Sequence, residues 1–103
     1  MIVSPAMDYI SDALEKSNEY YITALNFKYC YLSFDDLLML GTGMRLNRTL
    51  VKLDLSKNAL KSKTLGLFLD SLQDNYTLAD FNVSGNLLDD SFAWSLSVVL
   101  EDN

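Results

Sequence analysis

The side chains that could carry covalent or acid–base chemistry are two carboxylate pairs, Asp35-Asp36 and Asp89-Asp90, and one cysteine, Cys30. The chain has no histidine, which removes the Ser-His-Asp and Cys-His arrangements and the common zinc-ligand sets. Acidic residues at a helix start complement the helix dipole, and a thiol without a nearby imidazole or clustered cation is not activated. We therefore expect no enzyme activity, no cofactor and no metal; a catalytic or metal-binding carboxylate pair is the alternative interpretation.

Length and charge narrow the function classes further. A chain of 103 residues, half of them apolar, has room for one domain with a buried core. The formal charge of −6 has the wrong sign for phosphate backbones and anionic lipid, so we expect no nucleic-acid or membrane partner. The sequence shows no apolar run long enough to span a bilayer and no signal-peptide pattern, and its one cysteine suits a reducing compartment. These features predict a cytoplasmic (intracellular) protein.

A repeat of 28 residues organises the chain. Residues 49–60 align with residues 77–88, and sliding back by the same step aligns them with residues 21–32. The shared pattern is L-x-x-L-x-L-x-x-N/C-x-L, in which Asn58, Asn86 and Cys30 occupy one column.

This pattern resembles the leucine-rich repeat, and its length is similar to that of the ribonuclease-inhibitor-like class. The resemblance implies an α/β fold, a leucine-rich-repeat solenoid that forms a horseshoe segment with short parallel strands on the concave side and helices on the convex side. We expect a single domain over residues 1–103. Its parts are an N-terminal capping helix or partial repeat (1–19), repeat 1 (20–47), repeat 2 (48–75) and repeat 3 (76–103), with no C-terminal cap.

The apolar spacing independently predicts alternating strands and helices. Pairs spaced by two place both side chains on one face of a strand: Leu25 and Phe27, Leu53 and Leu55, Phe81 and Val83. Helical spacing follows each pair: Leu37, Leu40 and Met44; Leu65, Phe68, Leu69 and Leu72; Ala93, Leu96 and Leu100. A further helix is predicted over residues 6–17. Ser62 and the run Asp89-Asp90-Ser91 are predicted to satisfy free N–H groups at two helix starts.

Several motifs have a structural interpretation that competes with a functional one. The resemblance implies that Asn58 and Asn86 turn inward and bond backbone groups, and that Cys30 in the same column is buried and inert. Gly41-Thr42-Gly43 is predicted to let its helix approach a neighbour closely rather than to bind phosphate. Three N-glycosylation acceptor sequences begin at Asn47, Asn75 and Asn82, and the recurrence of the first two at one repeat phase explains them without modification.

Two surfaces are candidates for binding protein. The outward-facing strand positions, called here the strand wall, are polar and mixed in sign, with Lys52 facing Asp80. The wall comprises Asn26, Lys28, Lys52, Asp54, Ser56, Asp80, Asn82 and Ser84. The second candidate is the uncapped C-terminal edge, where Trp94 could anchor a further repeat, a second copy or a different protein.

The resemblance implies a non-enzymatic protein–protein interaction module or scaffold, a fragment or subunit of a larger assembly. The alternative is an inhibitor or sensor arm that blocks a target protein in the manner of ribonuclease inhibitors. A basic target would suit the negative charge, and its binding would weaken steeply with salt.

Overall fold

Helices and three-residue strands alternate along the chain. The computed structural model describes residues 5–16, 19, 21–75 and 77–90. Its elements are α1 (Pro5–Glu15), β1 (Ala24–Asn26), α2 (Phe34–Leu46), β2 (Lys52–Asp54), α3 (Ser62–Asp70) and β3 (Asp80–Asn82). Together the described residues form a small α/β domain in which α2 packs between α1 and α3.

The three strands form one parallel sheet in the order β1-β2-β3. Leu53 of the central strand pairs with Leu25 on one side and with Phe81 on the other. Both partners lie 28 positions away in the sequence, so the sequence repeat is also the register of the sheet. Parallel strands need a crossover connection, and α2 and α3 supply it here.

The core lies between the sheet and the helices, and it confirms the predicted strand and helix faces. Leu53 and Leu55 are fully buried, and Leu25, Phe27, Phe81 and Val83 pack against the same core. The predicted inward residues of α2 and α3 are buried as well: Leu37, Leu40, Met44, Leu65, Phe68 and Leu69. Leu72 is also buried, although α3 ends two residues before it. The predicted helix containing Ala93, Leu96 and Leu100 lies outside the described residues.

The two central helices begin in different ways. At the start of α2, the Ser33 side chain accepts a hydrogen bond from the Asp36 N–H, and the Asp36 carboxylate accepts one from the Ser33 N–H. This capping box gives Asp36 a structural role. The prediction for Ser62 is wrong: α3 begins at Ser62 itself, and the Ser62 hydroxyl accepts a hydrogen bond from the Asp89 N–H at 2.8 Å. The Ser62 hydroxyl therefore bonds to a backbone group 27 residues later in the chain and does not cap its own helix.

Two glycines let α2 lie close to its neighbours, as predicted. A Cβ added at Gly43 would lie 2.7 Å from the Ser11 carbonyl oxygen in α1, and one added at Gly41 would lie 2.6 Å from Ser71 Oγ. Gly66 in α3 differs, because an added Cβ would meet no atom within 4 Å. At the α1–α2 contact, the space beside Gly43 is occupied by backbone atoms of α1, which cannot rotate away as a side chain can.

We expect replacement of glycine by alanine to have opposite effects on stability at Gly66 and at Gly43. Gly66→Ala should raise the free energy of unfolding by about 0.5–1 kcal/mol, because alanine restricts the unfolded chain and favours helix. Gly43→Ala should lower it by about 1–3 kcal/mol, because the methyl group overpacks the α1–α2 contact. Urea unfolding of both variants checks this. Equal shifts in the same direction would contradict the close approach of α1 and α2.

Candidate functional site: the strand wall and its supporting amide ladders

The outward side chains of the three strands form one continuous, mostly exposed surface. Ala24, Lys52 and Asp80 lie side by side in one row, and Asn26, Asp54 and Asn82 form the next row. A shallow depression of about 320 Å³ crosses all three strands between these rows. Lys28 and Ser84 are exposed beyond the strand ends, as predicted.

Ser56 is a correction to the predicted wall, since this residue is only 2% exposed. Ser56 lies between the loops that follow β1 and β3, because its carbonyl accepts a hydrogen bond from the Tyr29 N–H and the next N–H, that of Lys57, donates to the Ser84 carbonyl. The Ser56 carbonyl also accepts a hydrogen bond from Asn58 Nδ2. Ser56 therefore belongs to the support of the wall rather than to its surface.

The row formed by Asn26, Asp54 and Asn82 turns the chain at the end of each strand. Each side-chain Oδ1 accepts a hydrogen bond from the backbone N–H two residues later, at 2.9, 2.8 and 2.9 Å. Asn and Asp favour this turn because their short side chains reach that N–H group. One oxygen of each residue is committed to the fold, and the rest of each side chain faces outward.

The predicted pairing across the first row is confirmed. Lys52 Nζ lies 3.8 Å from Asp80 Oδ2, and both side chains are more than half exposed. Such a pair contributes little to stability because water and salt screen it. Its two charges are therefore available to a partner that replaces the intramolecular contact.

Asp54 supplies an ionised carboxylate at the centre of the wall. Hydrogen bonds from the Ser56 hydroxyl and the Ser56 backbone N–H lower the pKa of Asp54 below its ordinary value of 3.8. Burial opposes this lowering of the pKa to a smaller extent, and the charge of Lys28 lowers the pKa by the smallest contribution. A group whose pKa is lower in the folded state stabilises the fold above its unfolded pKa.

We expect this stabilisation to disappear as the pH falls through the folded-state pKa of Asp54. Asp54→Asn keeps an oxygen for the Ser56 N–H and removes the titration. Near neutral pH, the difference in unfolding free energy between the wild type and Asp54→Asn should not change with pH. Below about pH 4 the wild type should lose stability relative to the variant, because Asp54 becomes protonated. Urea titrations across that range measure the difference. A pH-independent difference would contradict the role of the ionised carboxylate.

An amide ladder behind the wall joins successive 28-residue units. Asn58 Oδ1 accepts hydrogen bonds from the N–H groups of Cys30 and Leu32, and its Nδ2 donates to the carbonyls of Phe27, Leu55 and Ser56. Asn86 repeats this pattern one unit later: its Oδ1 accepts from Asn58 and Leu60, and its Nδ2 donates to Leu55 and Val83. The inward structural role predicted for Asn58 and Asn86 is confirmed.

A second ladder, which the sequence interpretation missed, lies at the opposite end of the strands. Asn47 and Asn75 are buried, and each Oδ1 accepts hydrogen bonds from the backbone N–H groups two and three residues later. Asn47 Nδ2 donates to the Leu14 carbonyl, and Asn75 Nδ2 donates to the Asn47 carbonyl. The signal for this ladder was the recurrence of the two asparagines at 28 residues.

This second ladder excludes two of the three N-glycosylation acceptor sequences as sites of modification in the folded protein. Asn47 and Asn75 use their amide nitrogens inside the fold, so a glycan on either nitrogen is incompatible with the native packing. Asn82 is exposed on the wall.

The prediction that Cys30 is buried is wrong, because the residue is exposed. Its Sγ lies 3.6 Å from the Lys28 carbonyl, and the residue lines a depression of about 190 Å³ together with Met7 and Ile10 of α1. Helix α1 thus packs against α2 without closing over the loop that follows β1. The position of a residue in the repeat sets the direction of its side chain, but the side chain is buried only if another element covers it.

The remaining candidates for chemistry are dispersed. Within residues 5–16, 19, 21–75 and 77–90, no three His, Cys, Asp or Glu side chains come together in an arrangement that could hold a metal ion. Asp89 and Asp90 are exposed, and Trp94 lies outside the described residues. The helices in the described part of the chain include none with the length and apolar character needed to cross a membrane.

Comparison of the chain with protein-family models, with curated proteins and with solved structures finds no match.

Proposed function

We propose that the chain is a leucine-rich-repeat segment of the ribonuclease-inhibitor-like class that acts as a non-enzymatic protein-binding module through its strand wall. The observation that carries the proposal is the depression of about 320 Å³ across β1, β2 and β3, lined by side chains from every strand. Stacked strands expose an extended surface in place of a deep pocket, which suits recognition of another protein. A cytoplasmic location and a place in a larger assembly belong to the same proposal.

The wall also has the chemical character of an interaction surface. It offers an ionised carboxylate at Asp54, an exposed ion pair between Lys52 and Asp80, and the amides of Asn26 and Asn82. Polar groups of both signs contribute specificity and orientation more than raw affinity. The backbone beneath them is held by the two amide ladders, so the surface is ordered before a partner arrives.

The test is recovery of partners from native extract with the wild type and with two arginine variants. Ala24→Arg fills the depression, since Ala24 is exposed and lines it. Gly66→Arg is the matched control, because it adds the same side chain on α3 where space is open. Partners identified by mass spectrometry should bind Ala24→Arg at least about tenfold more weakly, a difference of about 1.4 kcal/mol, and Gly66→Arg normally. Equal binding by the two variants would refute the role of the wall.

The acidic charges favour a second candidate, an inhibitor or sensor arm that blocks a basic target. The carboxylates of Asp54 and Asp80 on the wall and the net charge of −6 would attract such a target. The affinity for a basic target should fall steeply between low and physiological salt, whereas the affinity for a neutral scaffold partner should change little. Binding measured at two salt concentrations separates the two functions.

A further inference from the structure

We infer that a cluster of two tyrosines and two lysines beside the strand wall binds an acidic segment of a partner protein. The cluster comprises Lys28, Tyr29, Tyr31 and Lys57 and is called here the tyrosine–lysine rim. The inference rests on the proposed protein-binding function and adds the chemistry of the partner at this place.

The rim is built around the ring of Tyr29. Lys57 Nζ lies 5.2 Å from the centre of that ring and Lys28 Nζ lies 5.8 Å from it. Tyr29 is 59% exposed, and Tyr31, two residues further along the loop, is 89% exposed. Tyrosine is enriched among the residues that dominate protein interfaces, and a lysine over its ring keeps N–H donors that face away from the ring.

Two side chains of the rim occupy a backbone conformation that glycine adopts more easily. Tyr29 and Lys57 occupy equivalent positions of successive repeat units, and both have a left-handed backbone, with φ of 58° in each case. The third unit places Gly85 at this position with φ of 68°. Glycine adopts that conformation without steric cost, whereas a side chain with a Cβ does not. Two large exposed side chains therefore stand where glycine would fold more easily, and strain of this kind is concentrated at functional sites.

The charge of the rim is opposite in sign to that of the whole chain. Two of the eight basic residues of a chain with net charge −6 meet at one tyrosine ring. The negative charge of Asp54 partly offsets the positive charge of Lys28, and no ion pair to Lys57 is found among the described residues. These two lysines attract an acidic segment, whereas the net negative charge of the chain as a whole opposes its binding, so the charge pattern favours the rim as the place for such a partner.

The first experiment uses a fluorescein-labelled peptide of about ten alternating glutamate and glycine residues, and a control peptide with glutamine in place of glutamate. At low ionic strength the wild type should bind the glutamate peptide, and the amide NMR signals of Tyr29 and Lys57 should shift. Lys57→Gln should weaken binding about threefold, as expected for one exposed charge pair. Lys63→Gln, which removes an exposed lysine from α3, should bind like the wild type.

Tyr29→Gly separates binding from folding. Because Gly85 already occupies the equivalent left-handed position, this variant should melt at the wild-type temperature or higher, yet bind the peptide at least about threefold more weakly. The inference is overturned if the glutamate peptide does not bind, if the glutamine peptide binds equally, or if Tyr29→Gly and Lys57→Gln bind as tightly as the wild type. Concentration-dependent self-association that Lys57→Gln abolishes would assign the rim to a second copy of this chain and would also overturn it.

Binding of the partner recovered from native extract distinguishes failure of the rim inference from failure of the proposed function. If that partner loses affinity for Ala24→Arg but binds both rim variants normally, the protein-binding function stands and the rim inference fails. If the glutamate peptide requires the rim while Ala24→Arg retains every partner, the proposed role of the wall fails and the rim inference stands.

Discussion

Leu53→Ala should lower the free energy of unfolding by about 2–5 kcal/mol, enough to leave much of the chain unfolded at moderate temperature. Leu53 is 1% exposed and lies in the central strand, where its backbone pairs with Leu25 and Phe81. Truncation removes the transfer free energy of the buried atoms and leaves a cavity that strands on both sides prevent from collapsing. Urea unfolding followed by circular dichroism measures the loss.

The matched control for this prediction is Leu46→Ala. Leu46 lies in the last turn of α2 and is 64% exposed, so the same change of side chain there should alter stability by no more than about 0.5 kcal/mol. If the two variants unfold at the same urea concentration, the inward face assigned to β2 is wrong.

Asn58→Ala should cost about 3 kcal/mol or more, which is unusual for loss of a polar side chain. The Asn58 amide makes five hydrogen bonds to backbone groups of its own unit and the unit before it. Alanine leaves several of these buried groups without a partner, and each such group costs about 1–3 kcal/mol. The measurement is again the free energy of unfolding in urea.

Asn82→Ala is the control, because Asn82 is exposed and its Oδ1 accepts one hydrogen bond, from the Ser84 N–H. This change should cost less than about 1 kcal/mol. A small effect at Asn58, similar to that at Asn82, would show that water replaces the ladder without penalty and that the ladder does not hold the units together.

The sequence was sufficient to predict the features that depend on periodicity alone. Spacing by two assigned the inward face of each strand, and the 28-residue step placed Lys52 beside Asp80. The resemblance to the leucine-rich repeat implied the inward turn of Asn58 and Asn86, and the glycine pair in α2 predicted a close helix contact. Each of these properties is set by neighbours that the repeat itself specifies.

The features that the sequence did not predict depend on the path of the chain beyond an element or on what covers it. Ser56 is buried because the loops after β1 and β3 flank it on both sides, and Cys30 is exposed because α1 leaves the loop after β1 open. The hydroxyl of Ser62 bonds to Asp89 in the next unit instead of capping α3. The left-handed backbone at Tyr29 and Lys57 was hidden because only Gly85 in that column is a glycine.

The 28-residue register of the sheet constrains how the length of this chain can change during evolution. After deletion or duplication of one whole unit, each strand residue again pairs with the residue at the same position of the neighbouring unit, as Lys52 pairs with Ala24 on one side and with Asp80 on the other. Gain or loss of a single residue within a strand would instead turn its apolar side chains outward and its charged ones into the core. Natural length variation in strand-bearing segments should therefore occur in steps of a complete unit, and single-residue changes should be confined to the connections outside the strands.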